Sequence, residues 1–87
     1  MSDSLTTKLI RSLVDQGDGL RLSPYFKLTD QCSVCLGDVC EDPPQGEEYY
    51  LVHLVPDELH KSCKLYDCDH TPAALDALLQ ELKTEWA

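Results

Sequence analysis

Five cysteines and three histidines are the residues of this 87-residue sequence best suited to metal or thiol chemistry. Cys32 and Cys35 form a C-x2-C pair, and two thiolates at this spacing can bind one tetrahedral ion from a tight turn. His60 and Cys63 lie one helical turn apart, so both side chains can face the same point. The combined pattern C-x2-C-x24-H-x2-C predicts a structural Zn²⁺ site at Cys32, Cys35, His60 and Cys63.

Other sets of ligands use the remaining cysteines. Cys63 and Cys68 can complete an all-cysteine site with the C-x2-C pair. Alternatively, the C-x2-C-x4-C run that ends at Cys40 can begin an iron–sulfur site. A chain without metal, in which these residues are ordinary thiols, is a further alternative.

Two histidines have simpler interpretations. His53 lies inside an apolar run, which favours a hydrogen-bonded core histidine over a ligand. His70 follows an acidic stretch and precedes the last predicted helix, where it can simply be a helix-start residue.

The order of the cysteines and histidines suggests one family. The opening Cys-Ser-Val-Cys-Leu, with a later His-x2-Cys, resembles RING-type ubiquitin-ligase domains across residues 32–70. The resemblance implies two zinc ions in interleaved sites. A zinc-dependent adaptor, of a ubiquitin-ligase-like or transcription-associated type, is accordingly one alternative function. The sequence departs from the family because twelve residues separate Cys40 from His53, and because its last pair is Cys-x-His. We therefore do not assign the chain to this family.

Catalysis has weaker indications than binding. A C-x2-C pair can belong to a thiol oxidoreductase, but the neighbouring Asp30 and Asp38 disfavour a thiolate. The sequence shows no glycine-rich phosphate loop and no recognisable pair of catalytic carboxylates. So short a chain also has little room for a substrate pocket. These observations predict that the protein is not an enzyme.

The charge balance limits the choice of partners. Sixteen acidic residues against seven basic ones give a formal net charge of −9 and a pI of about 4.4. Nucleic-acid phosphates and anionic membranes repel such a surface, which excludes direct binding to either. The partner expected from electrostatic complementarity is a protein with a basic surface. An inhibitor or adaptor of a nucleic-acid-associated protein, of the phage or mobile-element type, fits this charge.

The N-terminal residues lack the continuous apolar stretch of a signal peptide, and no segment has the apolar length of a membrane span. We therefore expect a cytoplasmic protein with reduced thiols, in which a metal explains the cysteines better than disulfides do.

These side chains need elements to position them. Apolar spacing predicts a helix over residues 2–16, capped by Ser2 or Ser4 and ended by the glycines at 17 and 19. Short strands are expected at 20–22 and 25–28, a zinc-knuckle-like loop at 32–40, and a polar turn at 41–46.

The second half has two strong patterns. Residues 49–55, YYLVHLV, predict a central strand stopped by Pro56. A short helical turn over 56–63 and an acidic linker over 66–70 follow. Thr71 and Pro72 then predict the start of an amphipathic helix ending near Trp86.

The whole sequence thus predicts a small α+β fold, a single acidic metal-stabilised domain over residues 1–87. It combines an N-terminal helix, a short antiparallel sheet with the knuckle, and a C-terminal amphipathic helix. The leucine stripe of that last helix is expected to pack on the first helix, or alternatively to form a homodimer.

Overall fold

Six antiparallel strands and two helices form the part of the chain that the computed structural model describes, residues 4–40 and 48–87. The elements are α1 Leu5–Arg11, β1 Val14–Gly17, β2 Leu20–Leu22, β3 Phe26–Thr29, β4 Cys32–Cys40, β5 Glu48–Pro56, β6 Lys64–Asp69 and α2 Pro72–Glu85. The predicted α+β class is confirmed. The turn expected at residues 41–46 lies outside the described residues.

The strands form one sheet in the order β1-β2-β4-β5-β6, with β3 paired to β4 as well. β4 and β5 pair without a break from Cys32 opposite Pro56 to Cys40 opposite Glu48. β2 pairs with residues 37–39 of β4, and β3 with residues 32–34, so these two short strands share one side of β4. β5 lies on the other side of β4. Among the described strands, β6 pairs only with β5 and forms that outer edge of the sheet.

The segment predicted as a knuckle loop is instead β4, an interior strand of the sheet. Its alternate residues Cys32, Val34 and Leu36 are fully buried on one side of the sheet. Pairing with β5 along its whole length overrides the weak strand preference of Gly37 and Asp38. The predicted loop was wrong because the sequence pattern does not show this long-range pairing.

The predicted first helix is also too long, since α1 ends at Arg11 and β1 begins at Val14. Residues 17–19 form the turn of the β1–β2 hairpin, and Gly17 and Gly19 have positive φ angles of 91° and 75°. At Gly19 an added Cβ would lie 2.6 Å from the carbonyl oxygen of Cys40. The glycines therefore serve the hairpin and its close approach to β4.

Beyond β5 the chain makes a turn in which the Lys61 amide donates to the Glu58 carbonyl at 3.1 Å. No helix forms over residues 56–63. The stretch predicted as an acidic linker is strand β6. Its Tyr66 and Cys68 pack against the core, while Asp67 and Asp69 alternate outward.

Both helices pack on the same side of the sheet, where their buried leucines join the core residues of β4 and β5. Thr71 caps α2 by accepting a hydrogen bond from the Ala74 amide at 3.1 Å. Leu75, Leu79 and Leu82 are at most 2% exposed within this one chain. Most of the stripe considered for a homodimer is thus occupied internally, and that homodimer stays a prediction. Neither described helix combines the length and apolarity required to span a bilayer.

Candidate functional site

The residues of the predicted zinc site lie apart. Cys32 is fully buried on the helix-covered side of β4. Cys35 lies three residues along an unbroken strand and therefore faces the opposite side of the sheet. Its thiol donates to the Ser23 carbonyl at 3.1 Å. The sequence predicted a turn that brings the two sulfurs together, but in the structure they lie on opposite sides of the sheet.

His60 and Cys63 are exposed in the connection between β5 and β6, and the ring of His60 lies 3.3 Å from a Glu58 carboxylate oxygen. Across residues 4–40 and 48–87, no three His, Cys, Asp or Glu side chains are arranged to hold a metal ion. The donor set therefore does not fit a tetrahedral zinc in this fold. Zinc binding stays a prediction without geometric support.

Thiol redox chemistry at the C-x2-C pair meets the same obstacle. A disulfide needs the two Cβ atoms about 4 Å apart and directed towards each other. Cys32 and Cys35 face opposite sides of the sheet, so β4 would have to deform to join them. No disulfide joins any of the five cysteines, all of which are described.

A different surface emerges on the side of the sheet that the helices leave uncovered, which we call the open face. Several large apolar side chains there are exposed: Val14 at 60%, Leu22 at 38%, Tyr25 at 54% and Leu65 at 63%. β5 adds partly buried residues with the same orientation, including Leu51. The open face thus has apolar side chains that neither helix covers, because both helices pack on the opposite side of the sheet.

The open face contains a small apolar cavity of about 240 Å³. Its lining consists of Leu20, Leu22, Tyr25, Cys35, Gly37, Leu51, His53 and Leu65. The Tyr25 hydroxyl lies 2.8 Å from Nδ1 of His53, so His53 is a partnered histidine. Burial, and then the nearby thiols of Cys35 and Cys63, raise the pKa of Tyr25. The neutral form of the phenol is therefore favoured at this position.

A broad groove continues from this cavity towards the edge strand β6, and the two share Leu51 and Leu65. The groove is lined by Glu48, Asp67 and Asp69, which we call the acidic border. Burial, then Asp69 and Asp67, raise the pKa of the neighbouring Cys68 thiol. Apolar contact and negative charge therefore lie next to each other on one surface.

A separate polar cluster lies at one end of the sheet. Asp38 is 5% exposed and accepts hydrogen bonds from Arg21 and from Nε2 of His70, the latter at 2.8 Å. The His70 ring also lies 3.3 Å from Glu48 and stacks on Tyr50 with centroids 4.4 Å apart. These mutual pairs satisfy the buried charge and fix the chain just before α2.

Sequence reasoning assigned His70 only a helix-start position. Its partner Asp38 is 32 residues away in sequence. No local spacing reveals a contact that only the β4–β5–β6 pairing creates. The open face was missed for the same reason, because its residues come from five separate strands and the loop before β3.

No protein-family model matches this chain, and no curated protein or solved structure matches it. The open face and the acidic border are therefore interpreted from their own geometry and charge.

Proposed function

We propose that this protein is a non-catalytic binding module whose open face and acidic border together bind a basic, partly apolar segment of another protein. The observation that carries the proposal is a sheet with helices on one side and exposed leucine, valine and tyrosine side chains on the other. Contiguous apolar surface of this kind, next to charged residues, is typical of protein interaction sites.

The charge supports a basic partner. The chain has a formal net charge of −9, and the acidic border adjoins the apolar cavity directly. A partner with lysines or arginines beside apolar residues complements both halves of the surface. A basic region of a nucleic-acid-associated protein has this chemistry, and occupying it would make the module an inhibitor or an adaptor.

A second copy of the chain is a poorer occupant. Bringing two open faces together would also bring together two acidic borders, each on a chain of net charge −9. Juxtaposed like charges weaken association, which leaves the basic partner as the occupant that we propose.

The test uses a fluorescent synthetic peptide rich in lysine and leucine, and measures its binding by anisotropy at low and high salt. We expect salt-sensitive binding that weakens about tenfold in Leu65→Ser, since the exposed leucine contributes on the order of 1–2 kcal/mol when buried by a partner. Leu65 is 63% exposed, so its replacement should not affect folding.

Leu59→Ser provides the matched control. Leu59 is fully exposed, at 102%, and lines neither the cavity nor the groove. Equal loss of binding in both variants, or no binding by the unmodified chain, would contradict the proposal.

A further inference from the structure

We propose that the partner segment binds as an extended strand that pairs antiparallel with the outer edge of β6 and adds a seventh strand to the sheet. This inference rests on the proposed function and specifies the conformation and side-chain pattern of the partner. Strand addition to an exposed sheet edge is a general mode of peptide recognition, in which backbone hydrogen bonds supply affinity and side-chain positions supply specificity.

The first support is the regularity of β6 compared with the other outer strands. β1 and β3 have four residues each, and both have a register shift against their partners. β6 pairs with β5 through six consecutive residues, from Lys64 opposite Leu54 to Asp69 opposite Tyr49. Short length and bulges are devices that protect sheet edges, and β6 has neither.

The second support is the chemistry along β6. Leu65, Asp67 and Asp69 alternate with residues that face the helices, so all three lie on the open face. Leu65 borders the apolar cavity, while Asp67 and Asp69 line the groove at the acidic border. An added strand would therefore meet one apolar and two acidic positions in a fixed order.

This order defines the partner. Cross-strand neighbours on the same face interact directly, and opposite charges there are favourable. Since the whole sheet is antiparallel, the partner should present lysine or arginine opposite Asp69, a second basic residue opposite Asp67, and an apolar residue opposite Leu65. From N- to C-terminus the predicted segment is basic-x-basic-x-apolar.

A second copy of the chain does not supply this pattern. Pairing of β6 with the β6 of another molecule would place Asp67 and Asp69 of both copies on two adjacent strands, where their like charges repel. A basic segment instead neutralises both carboxylates.

The test compares peptides with one composition. The matching peptide contains Lys-Thr-Lys-Thr-Val between neutral flanks, and the permuted peptide contains Lys-Lys-Thr-Val-Thr. We expect the permuted peptide to bind about tenfold more weakly, because it moves one lysine and the valine to the wrong side of the sheet.

Backbone methylation tests the strand itself. Amide N–H groups of alternate residues in a strand point to the same side, so only one alternate set can donate to β6. We expect N-methylation of one set in the matching peptide to abolish measurable binding and methylation of the other set to preserve it. Side-chain recognition without strand pairing would make the two methylated peptides equivalent, which would overturn the inference.

Chain variants complete the test. Asp67→Asn and Asp69→Asn should together weaken binding of the matching peptide about tenfold, whereas Asp30→Asn, at an exposed turn, should not. If the matching and permuted peptides bind equally and both depend on Leu65, strand addition is wrong while the proposed function stands. If no basic peptide binds at all, the proposed function fails with it.

Discussion

The pKa of the Cys68 thiol depends on the acidic residues of the neighbouring surface. Its side chain is half-buried against the core, and its two sequence neighbours are aspartates on the open face. Burial raises the pKa of the thiol from 9.0, and Asp69 and Asp67 raise it further. The neutral thiol is favoured because a thiolate here would be both desolvated and close to negative charge.

This cause predicts the response of Cys68 to alkylation. At pH 8–9 iodoacetamide should modify Cys68 more slowly than an unperturbed thiol, because only the thiolate reacts. Asp69→Asn removes a negative charge, so the pKa should fall towards its ordinary value and the rate should rise. Peptide mapping by mass spectrometry resolves the five cysteines. Asp30→Asn is the control and should leave the rate unchanged. An equally unchanged rate in Asp69→Asn would contradict the assigned cause.

At the scale of elements, the local sequence pattern predicted a helix or strand correctly where that segment has a strong propensity or a clear capping signal. The run YYLVHLV predicted the central strand β5, and Thr71 with Pro72 marked the start of α2. Gly37 and Asp38 in β4 and the two aspartates in β6 have low strand propensity, so both strands were missed. Their pairing with β5 stabilises them as strands despite this low propensity. The predicted site depended on the missed strand, so its cysteines were placed together when the sheet separates them.

Replacement of single cysteines distinguishes strand from knuckle. Cys32→Ser places a hydroxyl in a fully buried site and should lower the free energy of unfolding by about 1–3 kcal/mol, measured in urea. Cys63→Ser, at an exposed position, should change it by less than about 0.5 kcal/mol. A shared zinc ion would instead make both variants similarly unstable, and a chelator would lower the melting temperature of the unmodified chain.

The whole molecule combines two tendencies that oppose each other in solution. The open face and the regular edge of β6 favour association, whereas the net charge of −9 keeps copies of the chain apart. Under the proposed function, this balance leaves the apolar open face accessible to a basic partner and disfavours binding between two copies of the chain. The acidic composition would in that case contribute to specificity as well as to solubility.

Removing the charge should reveal the association that it prevents. Near the pI of about 4.4 the repulsion disappears, and we expect dimers or larger assemblies by sedimentation velocity at low salt, against a monomer at neutral pH. Leu65→Asp should reduce this assembly at the same pH, because it places a polar group between the cavity and the acidic border. Leu59→Asp, at a fully exposed position outside both, is the control and should assemble like the unmodified chain. If Leu65→Asp assembles as much as the unmodified chain, the open face is not the surface through which copies associate. The partner would then have to bind elsewhere on the molecule.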